Sequence, residues 1–173
     1  CIRDRYRAEA TFVGLTVWDL YSALNSPAMV RRWNAALDDA TLIQDLGGQS
    51  AVWHVRYAPA WLAQARDATL VQTAYQSPTS IHVFSFSADE HMSELPTPAP
   101  GTVRMQVDLC GWSIEALSPT TVHVTLVEQS DPRGWLSKTR TPPQMIVAMA
   151  GAGEHVLRHG APPCISRLFN ARM

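Results

Sequence analysis

The 173-residue chain has no concentration of charge of either sign: 14 basic and 15 acidic side chains nearly cancel, and the basic ones are scattered. Nucleic acid is bound through a basic face or stripe, so it is not an expected partner, and no polybasic membrane segment is present. No apolar run approaches the ~20 residues that cross a bilayer, and no charged-then-apolar leader precedes the first strand-like segment. Cysteine is scarce. Cys1, Cys110 and Cys164 are odd in number and lack a CxxC pair, which points to thiols in a reducing compartment. Metal motifs of the HxxxH and HExxH kind are missing, and none of the six histidines stands at general-base spacing from a carboxylate. Neither a metal nor a cofactor is expected. Repeats and low-complexity tracts are also missing, so residues 1–173 read as one domain, long enough to bury ~70% of its unfolded surface and enclose a cavity. The start at Cys1 rather than Met reads as a chain processed or cut from a longer protein. A soluble, cytoplasmic monomer is the expectation.

What is present is alternation interrupted by punctuation. Residues 6–13 alternate as a strand does, and Thr16 then caps a helix over 17–25, with Asp19 in the capping-box position. Ser26-Pro27 supplies the cap and first residue of a second short helix running through Trp33. Gly47-Gly48, between 41–43 and 52–57, predicts a hairpin whose glycines provide the positive φ of a tight turn. A second hairpin joins 69–75 to 81–87, three prolines between Glu94 and Gly101 mark a loop, and 103–117 with 121–129 make the last hairpin. Pro142-Pro143 opens a C-terminal helix that Gly160 closes. Strands linked by turns, with the helices at either end, predict an α+β domain whose antiparallel sheet carries its helices on one side.

In the C-terminal helix Met145, Ala148, Met149, Ala152 and Val156 share one face, which must point at the sheet. Such stripes usually close a core. Here Gly151 and Gly153 each lower helix propensity by about 1 kcal/mol, and the face offers Met and Ala where a packing helix would carry Leu and Ile. Flexible or small side chains opposite a curved sheet leave room for a ligand and adapt to its shape.

Several short motifs occur in order: Arg66-Asp67, Gly101-Thr102-Val103-Arg104, Gly111-Trp112, and Asp131-Pro132-Arg133-Gly134-Trp135-Leu136-Ser137-Lys138. In order and separation they resemble the START (StAR-related lipid transfer) family, over a span from Tyr6 to about Arg158. The resemblance implies a helix-grip fold, in which a curved antiparallel sheet wraps a long C-terminal helix around an internal hydrophobic tunnel. That tunnel holds one sterol, phospholipid or fatty acid, exchanged at a transient contact with a membrane surface when the helix opens. Carried over by position, its wall comprises Trp33, Asn34, Trp53, Val55, Leu70, Gln72, Val83, Val107, Cys110 and Trp112. Met145, Met149, Ala152 and Val156 form its lid.

In the cholesterol-binding branch of that family a buried acid faces a buried arginine; the matching positions here are Trp53 or His54 and Gln72. A buried charge without its partner is costly, so loss of both leaves a neutral tunnel with the amides of Gln72 and Asn34 as anchors. The family's N-terminal helix and first two strands have no counterpart before Tyr6. Non-enzymatic binding, with transfer or sensing of a single lipid, is the function implied. A cavity enzyme of the polyketide cyclase/aromatase type and a ligand-free interaction module are the other readings. His54 is the histidine best placed to face the tunnel. Arg66 and Asp67, as strand neighbours, point to opposite faces and are read as structural, and Trp135 is read as packing under the lid helix.

Overall fold

The computed structural model describes residues 4–59, 64–88, 92, 95–133 and 142–160, with the backbone alone at 4 and 142–146. Strand β1 (Asp4–Val13) leads into helices α1 (Val17–Leu24) and α2 (Pro27–Val30). There follow β2 (Leu37–Gly47), β3 (Ser50–Tyr57), β4 (Ala65–Gln76), β5 (Ser80–Ser87), β6 (Thr102–Arg104), β7 (Gln106–Ser118) and β8 (Thr121–Asp131). Helix α3 (Pro142–His159) ends the described chain, and Gly160 closes it at φ +72°.

Local chemistry sets the helix starts. The Thr16 hydroxyl accepts the Asp19 N–H at 3.2 Å while the Asp19 carboxylate accepts the Thr16 N–H at 2.8 Å, so the capping box satisfies two otherwise orphaned donors. Helix α2 is shorter than expected, because its last turn gives way to competing local bonds. The Trp33 indole reaches back to donate to the Ala23 carbonyl at 3.0 Å, and Asn34 Oδ1 accepts the Ala36 N–H at 3.1 Å. In the first hairpin Gly47 and Gly48 take positive φ as the sequence predicts, and Gln49 joins them at +75°.

The strands form one sheet in the order β1-β8-β7-β5-β4-β3-β2. All of these neighbours are antiparallel, and register shifts in β2 and β7 mark bulges that bend the sheet. The expected strand over 103–117 is two elements. Strand β6 lies parallel to β4, pairing Arg66 with Val103 and Asp67 with Arg104, before Met105 breaks the ladder. The Met105 N–H bonds the Asp67 carbonyl at 2.9 Å while its side chain is buried in the core.

The apolar interior falls into two clusters. One joins Leu20 and Leu24 of α1 and Met149, Ala152 and Val156 of α3 to the inner face of the sheet at Ile81, Val83, Ile114, Val122, Val124 and Leu126. The other gathers Leu37, Val55, Ala68, Leu70, Met105 and Val107. Each large side chain so buried contributes roughly 1.5–3 kcal/mol. Cys110 packs against both clusters and so marks their boundary.

Candidate functional site

Arg66-Asp67, Arg104 and Pro132-Arg133, far apart in the sequence, meet at one end of the sheet, whereas Gly111-Trp112 lies within β7 opposite Val83 and Phe84. Arg66 sends Nε to the Pro132 carbonyl at 3.0 Å and Nη2 to the Arg133 carbonyl at 3.3 Å, tying the head of β4 to the chain leaving β8. On the opposite side of the same strand the Asp67 carboxylate, 1% exposed, receives Arg104 in a bidentate grip, both N···O distances being 2.9 Å. Arg104 also donates to the Pro96 carbonyl, so this pair holds the 95–101 loop over the outer face. His54 Nε2 lies 2.9 Å from Asp67 Oδ2. Burial is the largest influence on Asp67 and pushes its carboxyl up, but the hydrogen bonds from Arg104 and His54 together outweigh it and hold the group below 3.8. The expectation that His54 faces the interior is therefore corrected. Its ring is on the outer face with Asp67, because Trp53 takes the inner one. The segment Gly134–Lys138, including Trp135, lies outside the described residues.

The inner wall is built by register. Trp53 pairs with Leu70, Val55 with Ala68, and Val83 with Trp112, so these positions share the concave face. Val55, Leu70, Val83 and Val107 are buried, whereas Trp53, Cys110 and Trp112 on that face remain partly exposed. Gln72, buried, donates from Nε2 to the Leu24 carbonyl at 3.2 Å and so closes the C-terminal end of α1 onto the sheet. Asn34 spends its amide oxygen on the turn already described. Met149, Ala152 and Val156 are 2%, 0% and 3% exposed and pack in the first cluster with α1; the side chain of Met145 lies outside the described residues. Trp33 lies against α3, where a Cβ added to Gly151 would stand 3.4 Å from its ring. Among the described residues no helix is long and apolar enough to cross a membrane, and no group of three His, Cys, Asp or Glu side chains is placed to hold a metal.

A sheet gripping a C-terminal helix, with these motifs fastened at one end, is matched by a model of the START domain over residues 6–148. The chain belongs to the START domain family. Human STARD10 superposes with a TM-score of 0.80 at 17% identity, covering 90% of this chain and 64% of that one, so the chain spans under two thirds of STARD10's length. Human StAR-related lipid transfer protein 5 gives 0.79 at 19% identity over 89% and 76% of the two chains. The Zhui aromatase/cyclase from Streptomyces sp. R1128 gives 0.57 at 11% identity over 90% and 98%. No curated protein sequence matches. The START fold here is thus the helix-grip, α+β architecture that the motifs imply.

An acidic residue on the inner face escaped the sequence reading. Glu128 stands on β8 two residues beyond Leu126 and pairs with Cys110, which puts its carboxylate on the concave face, where Oε1 accepts the Ser130 hydroxyl at 3.0 Å. The signal was present in the alternation of Val122, Val124, Leu126 and Glu128.

Proposed function

We propose that this START domain binds one lipid between the concave face of its sheet and its helices, and carries or senses it without changing it chemically. The observation that supports this reading is the partial exposure of Trp53, Cys110 and Trp112 on the inner face, where the two apolar clusters meet. A solid core buries its central aromatic side chains; a cavity wall leaves them open. The tunnel wall assigned from family resemblance, with Gln72 and Asn34 as polar anchors and Met145 in the lid, belongs to this proposal. So do a monomeric state, a cytoplasmic location and a transient contact with membranes. Enclosing on the order of 300 Å² of lipid surface stabilises a complex by roughly 7 kcal/mol before binding costs, so micromolar affinity, at about 8 kcal/mol net, requires a larger enclosed area.

Native mass spectrometry of the purified domain after incubation with sterols, phospholipids and fatty acids tests the reading. One molecule retained per chain and recovered unchanged on extraction supports it. Failure to retain any of them removes lipid binding, and recovery of a chemically altered product turns the assignment to a cavity enzyme.

A further inference from the structure

Strand β5 reverses the usual pattern of a sheet with one solvated face. Ser85 lies on the inner side with Ile81 and Val83, while His82, Phe84 and Phe86 point outward. Register supplies their neighbours: Tyr75 of β4 pairs with His82, Gly111 of β7 pairs with Phe84, and Leu109 stands two residues before Gly111 on the same side. The rings are ordered. His82 is stacked between Tyr75 and Phe84 at centroid distances of 6.3 and 6.2 Å, and the Phe84 ring lies across Gly111, where a Cβ would stand 3.3 Å from it. Tyr75, Phe84, Phe86 and Leu109 are nevertheless 64%, 36%, 40% and 37% exposed, and no Asp, Glu, Lys or Arg stands among these positions. Charge returns only towards the flanks of the outer face, where Arg7 pairs with Glu9 on β1 and Arg56 of β3 with Asp38 of β2.

Single exposed apolar side chains are ordinary on a protein surface, whereas a contiguous uncharged patch with a polar rim marks a contact face. Its size decides among occupants. Three strands about 4.8 Å apart, each contributing three outward positions, make roughly 15 by 20 Å, on the order of 300 Å². A stable dimer takes about 800 Å² from each partner, so the patch is too small to hold a second copy of the chain. A bilayer receives side chains that protrude into it, and Phe84 instead lies flat on Gly111. One helix is about 10–12 Å across with its side chains, and four turns run about 22 Å, which matches the patch in both directions. We propose that this outer patch docks one amphipathic helix of a partner protein. That helix carries apolar anchors at i, i+3 or i+4 and i+7 and keeps its charges off the contact, because the patch has no charge to pair with them. The inference is independent of the lipid-binding reading, since the patch lies on the side of the sheet away from α1 and α3.

Selection on the purified chain of a phage-displayed library of peptides about 16 residues long, patterned with Leu, Ile, Phe or Met at those spacings, tests it against a library of equal composition with the pattern scrambled. Patterned peptides are expected to be enriched, and a synthetic copy of an enriched sequence to bind with a Kd of about 1–100 μM and to gain helix on binding. Phe84→Ser with Phe86→Ser should weaken that binding at least about tenfold, and Val13→Ser, which changes an exposed apolar side chain elsewhere, should leave it unchanged. Should the first pair fail to fold, Tyr75→Ser with Leu109→Ser makes the same test from the other two exposed side chains. No enrichment over the scrambled library overturns the proposal, as does a peptide whose affinity is unchanged in a patch variant that melts like the parent. Either rival occupant also overturns it: a dimer in sedimentation equilibrium, or partition onto phosphatidylcholine vesicles, that is lost in the patch variants.

Discussion

Asp67 serves two partners, Arg104 and His54, with one buried carboxylate, so its loss strands the Arg104 guanidinium against a loop that it no longer fastens to the sheet. Asp67→Ala is expected to cost about 3 kcal/mol, which thermal unfolding would register as a melting point roughly 6–12 °C lower. The pH dependence has a definite sign. The folded carboxyl titrates below 3.8, so as pH falls the unfolded chain takes up its proton first. The stabilisation is complete above the ordinary carboxylate range and is lost as pH falls through the lowered folded value. Urea midpoints followed from about pH 5 downwards should therefore drop less steeply in Asp67→Asn than in the parent. The two mid-helix glycines part company at this scale as well. A methyl at Gly153 would lie 2.2 Å from Phe12 Cε1, whereas one at Gly151 meets Trp33 at 3.4 Å. Gly153→Ala should destabilise by at least about 1 kcal/mol despite its better helix propensity, and Gly151→Ala should be neutral or stabilising by up to about 1 kcal/mol, as read from urea unfolding. Gly153 is thus a packing residue, which its sequence signal alone, a low propensity in a lid, did not separate from a flexible one.

Helix α3 is held from one end by apolar packing and troubled at the other by charge. Burial lowers the basicity of His155, the nearby His159 and Arg32 lower it further, and the two imidazoles sit 5.0 Å apart. Glu154 and Arg158, exposed, pair with each other at 3.1 Å. Because the folded His155 titrates below 6.5, protonation favours the released helix, and the stabilisation present above that value is lost as pH falls. Hydrogen-exchange protection of the 149–157 amides, corrected for intrinsic rate, should fall between neutral pH and about pH 5, and His155→Gln should flatten that fall. Elements such as α1 and the Gly47-Gly48 hairpin were legible because caps and tight turns are decided within a few residues. Strand β6 was not, since its parallel partner β4 lies beyond a proline-containing loop and no local pattern encodes such a pairing. Val55, Leu70 and Val83 were assigned by position from the family resemblance, and all three are buried on the inner face. The outer-face destination of His54 depended on which of two adjacent residues turned inward, and Asp67 decided it across the sheet.

For the molecule as a whole, a ligand held between sheet and helices must stabilise the folded state, because the unfolded chain has no cavity to offer it. At a free lipid concentration about a hundredfold above Kd the gain is about 2.7 kcal/mol, so the melting point should rise by roughly 5–11 °C. Differential scanning calorimetry with and without a bound long-chain alcohol measures it, and an unmoved transition would count against a ligand enclosed by the fold.

The pairing of β1 with β8 ties the first described strand to one of the last, Val13 to Thr121 and Asp4 to Ser130. During synthesis at roughly 5–20 residues per second, β1 leaves the ribosome on the order of ten seconds before β8, its neighbour among the described strands, exists. Over that interval its inward side chains, Tyr6, Ala8, Ala10 and Phe12, have no wall to join and its backbone has no ladder. The hairpins of β2 to β5 need no such wait. A nascent chain stopped short of Thr121 would leave β1 without β8 and one edge of β7 open, the condition in which a chaperone or a protease is its next partner.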